Sequence, residues 1–286
     1  MTASHQAFFN SRFFNRAALA AVLSAGLYGC LPIQGGSIMA SQGSAAAIPS
    51  GKSVTIYAAG DIADCRKSKP EHSGAAKTAS LIAAALARDK DAAVLTLGDA
   101  TYPVGLLEEF TECYEPTWGQ FKHRTFPSPG NHEYYTPAAV GYYDYFGNIA
   151  GPTRHGYYSV DSGTWHVVSI NSNLKPVDHQ QQLTWLKTDL AQHPSRCTLA
   201  YWHHPLYSSG DHGNNEKMTD VWEMLQAANA DVVLVGHDHN YERFAPQDAN
   251  ARRDDRHGIR EFVVGTGGAK LEPILSRKPN SEVSDN

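Results

Sequence analysis

Five short motifs lie in order along the chain, each closing a strand-like apolar run. They are Gly60-Asp61, GDATY at Gly98 to Tyr102, GNHE at Gly130 to Glu133, WHHP at Trp202 to Pro205, and GHDH at Gly236 to His239. Together they hold two carboxylates, a phenol, an amide and several imidazoles, a donor set large enough for two metal ions. No packing requirement explains so many polar side chains at the ends of apolar runs. Two ions about 3.5–4 Å apart, bridged by an anionic ligand, are the machinery of metal-assisted phosphoester hydrolysis. Asp99 is the natural bridging carboxylate, and Asp61 suits one of the ions. His203, His237 and His239 supply imidazoles, and Asn131 offers a neutral carbonyl oxygen. Residues two apart in an extended segment project to the same side. His237 and His239 can therefore serve one site together, while Asp238 points away into hydrogen bonds with backbone.

Those ligands need strand ends to carry them. SVTIYAAG, DAAVLTLGD, RTFPSPG, CTLAYW and ADVVLVG read as short buried strands, each with its motif at the C-terminal end. HGYYSVDSGTWHVVSINSN reads as a hairpin around Asp161-Ser162-Gly163, and REFVVGTGGAK as another strand with a glycine turn. Helical patterns cover 74–88, 178–193 (Leu183, Leu186 and Leu190 on one face) and 217–229, while 106–118 reads as irregular or partly helical. The alternation predicts an α/β chain of α+β character: a sandwich of mixed β-sheets flanked by helices. Loops at strand C-termini are where such folds build sites.

The order GD, GDxxY, GNH[DE], a histidine strand and GHxH resembles the calcineurin-like metallophosphoesterase superfamily. GDxxY and GHDHNYER (Gly236 to Arg243) are similar to the purple acid phosphatases and their bacterial relatives. The resemblance spans roughly residues 53–270 and implies the metallophosphoesterase fold. It implies a dinuclear metal-dependent hydrolase, acid-phosphatase-like, in which a metal-bound hydroxide attacks a phosphomonoester. A phosphodiesterase or nucleotidase of the same fold is the alternative. An inactive metal- or phosphate-binding lipoprotein is the alternative of another class. By the same resemblance one ion, ferric in the purple members, takes Asp61, Asp99, Tyr102 and His239, and the other takes Asp99, Asn131, His203 and His237. His132 contacts the phosphate or protonates the leaving group, His212 is a substrate-facing histidine, and His204 is an extra imidazole beside His203. Many relatives carry Asp-x-His in the first motif; here Ala63 stands at the histidine position and cannot ligate, a vacancy Tyr102 can fill. A phenolate favours iron, paired with zinc, manganese or a second iron. If Tyr102 only packs near the site, a zinc or manganese pair is expected instead.

The chain has 286 residues, 42% hydrophobic and 19% charged, with a formal charge of -5. That is enough for one large globular domain. With no basic face apparent, nucleic acid is not an expected partner. The expected partner is a small-molecule phosphoester. Arg12 and Arg16 precede the apolar run Ala17 to Gly29, which is too short to span a bilayer and fits an export signal. Leu27-Tyr28-Gly29-Cys30 resembles a lipoprotein cleavage box, with a lipid anchor at Cys30 as the route to a membrane. Cleavage nearer Ala40 is the other possibility. The expected organisation is a leader over 1–29, a flexible tether over 30–52 and a catalytic domain over 53–286, exported to a periplasm, cell surface or medium. Cys65 and Cys113 are expected to pair, and Cys197, opening an apolar strand, to be a buried thiol. Relatives usually continue into further strands, so the ending NSEVSDN carries the expectation of a missing edge strand or hairpin.

Overall fold

The computed structural model describes residue 48, residues 54–194 and residues 197–286. The expected leader, the proposed anchor at Cys30 and the tether apart from Ile48 lie outside the described residues. A first sheet is wholly parallel, in the order β1 (Ile56–Ala59), β2 (Ala93–Leu97), β3 (Thr125–Ser128). Between β1 and β2 runs α1 (Gly74–Leu86), opened by the Ser73 hydroxyl, which accepts from Ala76 N at 3.1 Å. Its buried residues Ala75, Ala79, Ile82 and Leu86 follow the helical repeat. β2 is buried at every position, because both of its faces are covered.

After β3 the chain forms α2 (Val140–Phe146), then β4 (Tyr158–Ser162) and β5 (Trp165–Ser169). The hairpin turn falls at Gly163-Thr164, one residue later than the sequence pattern suggested, with Gly163 at φ +58°. Next come α3 (Pro176–Gln192), β6 (Cys197–Tyr201), α4 (Thr219–Ala227), β7 (Val232–Val235), β8 (Tyr241–Phe244), β9 (Arg260–Val264) and β10 (Ser281–Asp285). The second sheet is mixed and seven-stranded, in the order β10-β8-β9-β7-β6-β5-β4. Within it β5, β6, β7 and β9 run parallel.

Strand alternation assigns the faces of this sheet. Leu199 and Tyr201 of β6 and Val232 and Leu234 of β7 join a core with Leu95, Leu97 and Phe126 of the first sheet. Ala200, Val233 and Val235 face the other way, into a core with Leu186 and Leu190 of α3 and Trp222 of α4. The two sheets are therefore a sandwich, with helices on its outer faces. Cys65 and Cys113 are disulfide-bonded, Cα–Cα 5.9 Å. Cys197 is not the expected buried thiol: it is half-buried and disulfide-bonded. No helix among the described residues is long and apolar enough to cross a membrane.

Candidate metal centre

Parallel strands send their C-terminal ends to one edge of the sandwich, and each motif follows such an end. Asp61 follows β1, Asp99 and Tyr102 follow β2, and Asn131 and His132 follow β3. His203 and His204 follow β6, and His237 and His239 follow β7. Backbone bonds tie these loops together: Asp61 N donates to Gly98 O at 3.1 Å, and Gly236 N donates to His203 O at 3.0 Å. Asp61, Asp99 and His237 all have positive φ (61°, 46° and 73°), a costly backbone state that turns their side chains inward. Gly98 (φ +82°) and Gly130 allow the close approach. A Cβ on Gly98 would lie 2.6 Å from His203 Nδ1, and one on Gly130 would strike Asp99 Oδ1.

Two groups of donors converge. In the first, Tyr102 OH lies 3.1 Å from Asp61 Oδ1, 3.4 Å from Asp99 Oδ2 and 3.1 Å from His239 Nε2. His239 Nδ1 donates to Lys270 O at 2.9 Å, so Nε2 is free to face inward with its lone pair. In the second, His203 Nε2 lies 2.9 Å from Asn131 Oδ1, 3.1 Å from His237 Nδ1 and 3.3 Å from Asp99 Oδ2. His203 Nδ1 donates to Leu97 O at 2.8 Å, which again leaves Nε2 for the site. Asn131 Nδ2 donates to Tyr135 OH at 3.1 Å, which turns the amide oxygen inward. Asp99 Oδ2 belongs to both groups.

With neutral imidazoles, Asp61, Asp99, Asn131, His203 and His239 all turn acceptor atoms inward. Acceptors packed this closely repel unless a cation lies among them, so the residues present fit a pair of metal ions sharing Asp99.

Three further imidazoles rim the site. His132 Nδ1 donates to Pro103 O at 2.6 Å; its Nε2 is 3.8 Å from Asp99 Oδ2, and its ring is 4.4 Å from that of Tyr102. His212 stacks on His237 at 4.2 Å and 29°. His204 lies 4.5 Å from the His237 ring, with Ser172 Oγ 2.8 Å from its Nδ1. All ten candidate residues therefore meet at one edge of the sandwich.

The sequence model of the calcineurin-like phosphoesterase family matches residues 54–241. The chain belongs to this family. It is 34% identical over 136 residues to purple acid phosphatase 21 of Arabidopsis thaliana, covering 45% of this chain and 31% of that protein. It is 27% identical over 241 residues to probable inactive purple acid phosphatase 9 of the same plant, covering 69% of this chain and 37% of the other. The chain thus spans about a third of the length of these curated relatives. Its fold is similar to purple acid phosphatase PPD1 from yellow lupin seeds, with a TM-score of 0.61 at 19% identity over 80% of this chain and 47% of that one. It is also similar to GAP50, the anchor in the inner membrane complex of Plasmodium, with a TM-score of 0.57 at 15% identity over 80% and 77%.

Within this phosphoesterase frame, Glu133 is the group that shapes the loop carrying Asp99. It is fully buried, and its carboxylate accepts from Gly130 N (2.6 Å), Ala100 N (2.9 Å), Asp99 N (3.0 Å) and Thr101 N (3.4 Å). Its carboxylate therefore ties the turn that carries Asp99 to the turn that carries Asn131. Burial and the Asp99 charge both push its pKa up. Burial also opposes ionisation of Asp99, but the His203 and His132 charges win and lower it. Burial lowers the imidazoles, yet Asp99 lifts His203 and Asp61 lifts His239, each to about 9. A cation entering the site displaces those protons. Burial and the neighbouring His203 push His204 down to about 3 and His237 lower still. Tyr102 is raised well above 10 by burial and by Asp61 and Asp99, so its phenolate needs a strongly charged cation.

Asp238 Oδ1 accepts from His212 N at 2.9 Å, so this residue does turn from the site into a backbone bond. Arg243 pairs with Glu282 of β10 at 3.4 Å. The sequence did not reveal Tyr135, Ser172, or the Leu97, Pro103 and Lys270 carbonyls that orient the imidazoles. Backbone acceptors have no sequence signature, and Tyr135, three residues after His132 in a short 3-10 helix, belongs to none of the five motifs.

Proposed function

We propose that the protein is a dinuclear metal-dependent hydrolase of phosphomonoesters. The observation that carries this reading is Asp99 Oδ2, within 3.4 Å of both Tyr102 OH and His203 Nε2, where the two donor groups meet. Asp61, Asp99, Tyr102 and His239 would hold one ion; Asp99, Asn131, His203 and His237 would hold the other. The first group carries three hard anionic donors and suits a trivalent ion, iron in particular. The second is mostly neutral and suits divalent zinc, manganese or iron. The ions, when bound, supply an activated water and positive charge against the phosphoryl oxygens. His132, held through Nδ1 by Pro103 O, presents Nε2 toward that centre and hands a proton to the leaving oxygen. His212 and His204 border the same space and steady the phosphoryl group by hydrogen bonds. Export is part of the proposal, and the Cys65–Cys113 disulfide supports an oxidising compartment.

The test is metal analysis of the purified protein with hydrolysis of p-nitrophenyl phosphate and its bis ester. About two ions per chain and preference for the monoester are expected. Asp99→Ala should lose both metal and activity. Preference for the diester would replace monoesterase with phosphodiesterase. Full activity in Asp99→Ala would sink the shared-carboxylate assignment.

A further inference from the structure

Residues 205–215 form a loop closed at its base by Asn215 N donating to Pro205 O at 2.9 Å. It leaves the site after His203 and His204 and returns His212 to it. Three fully buried carboxylates hold the loop from below. Glu261 of β9 accepts from Leu206 N through Oε1 and from Tyr207 N through Oε2, both at 3.1 Å. Glu242 of β8 accepts from Ser209 N at 2.8 Å and Ser209 Oγ at 2.7 Å, and from Ser281 Oγ of β10. Lys278 N donates to the same Ser209 Oγ at 2.8 Å. Asp238 takes His212 N, and Gly210 packs against the Asp238 side chain so closely that a Cβ could not fit.

Carboxylates buried among neutral donors are an expensive way to stabilise a fold. Burial pushes Glu261 well above the usual carboxylate range despite its two N–H partners. What the arrangement does achieve is geometric. The chain between His204 and His212 is fixed at Leu206, Tyr207, Ser209 and His212, and the exposed His212 ring is laid on His237.

We propose that Glu261 and Glu242 are positioning residues for His212: they hold the 205–215 loop so that its imidazole meets the phosphoryl group bound at the metal centre. The inference rests on the phosphoesterase reading above and adds which residues set the reach of the rim histidine. Gln at 261 keeps the shape but offers one acceptor where two N–H groups need one each.

The experiment is a double-mutant cycle on kcat/KM for p-nitrophenyl phosphate, using Glu261→Gln alone and with His212→Ala. Ser209→Ala serves as a second, milder probe should Glu261→Gln fail to fold. His212→Ala and Glu261→Gln should each cost on the order of 100-fold, the cost of a misplaced group. Glu261→Gln should then cost almost nothing further once His212 is absent. Hydrogen exchange should speed up at 206–212 while metal content stays at the wild-type level. Equal losses in both backgrounds, wild-type activity in His212→Ala, or loss of metal in Glu261→Gln would each overturn the proposal. An inactive, metal-loaded wild type would instead defeat the phosphoesterase reading, while hydrogen exchange would still report whether the two glutamates hold the loop.

Discussion

Glu133→Gln is the sharpest test of how the metal loops are held. Each Glu133 oxygen accepts two backbone N–H groups: Oε2 those of Asp99 and Gly130, Oε1 those of Ala100 and Thr101. Glutamine has nearly the same shape but one acceptor oxygen. Whichever way the amide turns, two buried N–H groups then face an NH2. A buried donor left without a partner costs about 1–3 kcal/mol, so the substitution should cost about 2–6 kcal/mol. For a chain of this size that corresponds to a fall in Tm on the order of 10 °C. Thermal and denaturant unfolding of variant and wild type, each with and without added metal, measures it. The loss should be accompanied by weaker metal binding, because Asp99 and Gly130 sit on the released backbone. Wild-type stability in Glu133→Gln would refute the reasoning. It would mean that Glu133 is a neutral acid, so that an amide reproduces it.

Three other outcomes are expected. Tyr102→Phe should keep the fold but abolish any visible charge-transfer band of an iron-loaded protein; a band that survives would show that Tyr102 does not ligate. His166 lies 3.0 Å from Asp161 and 2.7 Å from Asp189, and although burial opposes its charge, these carboxylates raise its pKa. Its charged form therefore adds stability that is full below its unfolded pKa, about 6.5, and lost as pH rises through the raised folded value. The Tm gap between wild type and His166→Asn should shrink from pH 5.5 to pH 9, and a gap that widens would contradict the sign. Replacing Cys65 and Cys113 by serine opens a closure of 48 residues and should cost about 4 kcal/mol in the chain-entropy account. Unchanged unfolding under oxidising conditions would refute it.

Much of this protein was legible because its chemistry is local in sequence. Each motif is a strand end followed by candidate ligands, and both halves have a one-dimensional signature: an apolar β-rich run, then polar residues that no core tolerates. The five motifs, the parallel strands that carry them, the major helices and the pairing of Cys65 with Cys113 could all be read this way. Short elements were harder. β8 is a four-residue strand of mostly polar sequence, β10 is a polar edge strand, and α2 follows two residues with positive φ, Ala138 and Ala139, that no pattern marks.

The sequence by itself determined which side chains are available: the carboxylates, the phenol, the amide and the imidazoles, in their order along the chain. Only the tertiary structure decided how they are shared. That Asp99 Oδ2 faces both donor groups depends on two sheets packing face to face. That His203 and His239 turn Nε2 inward depends on carbonyls of Leu97 and Lys270. That His212 reaches His237 depends on Glu242 and Glu261, which follow it in sequence by 30 residues or more. Distances and lone-pair directions are set by hydrogen bonds between residues far apart in the chain, and such bonds leave no trace in a single sequence.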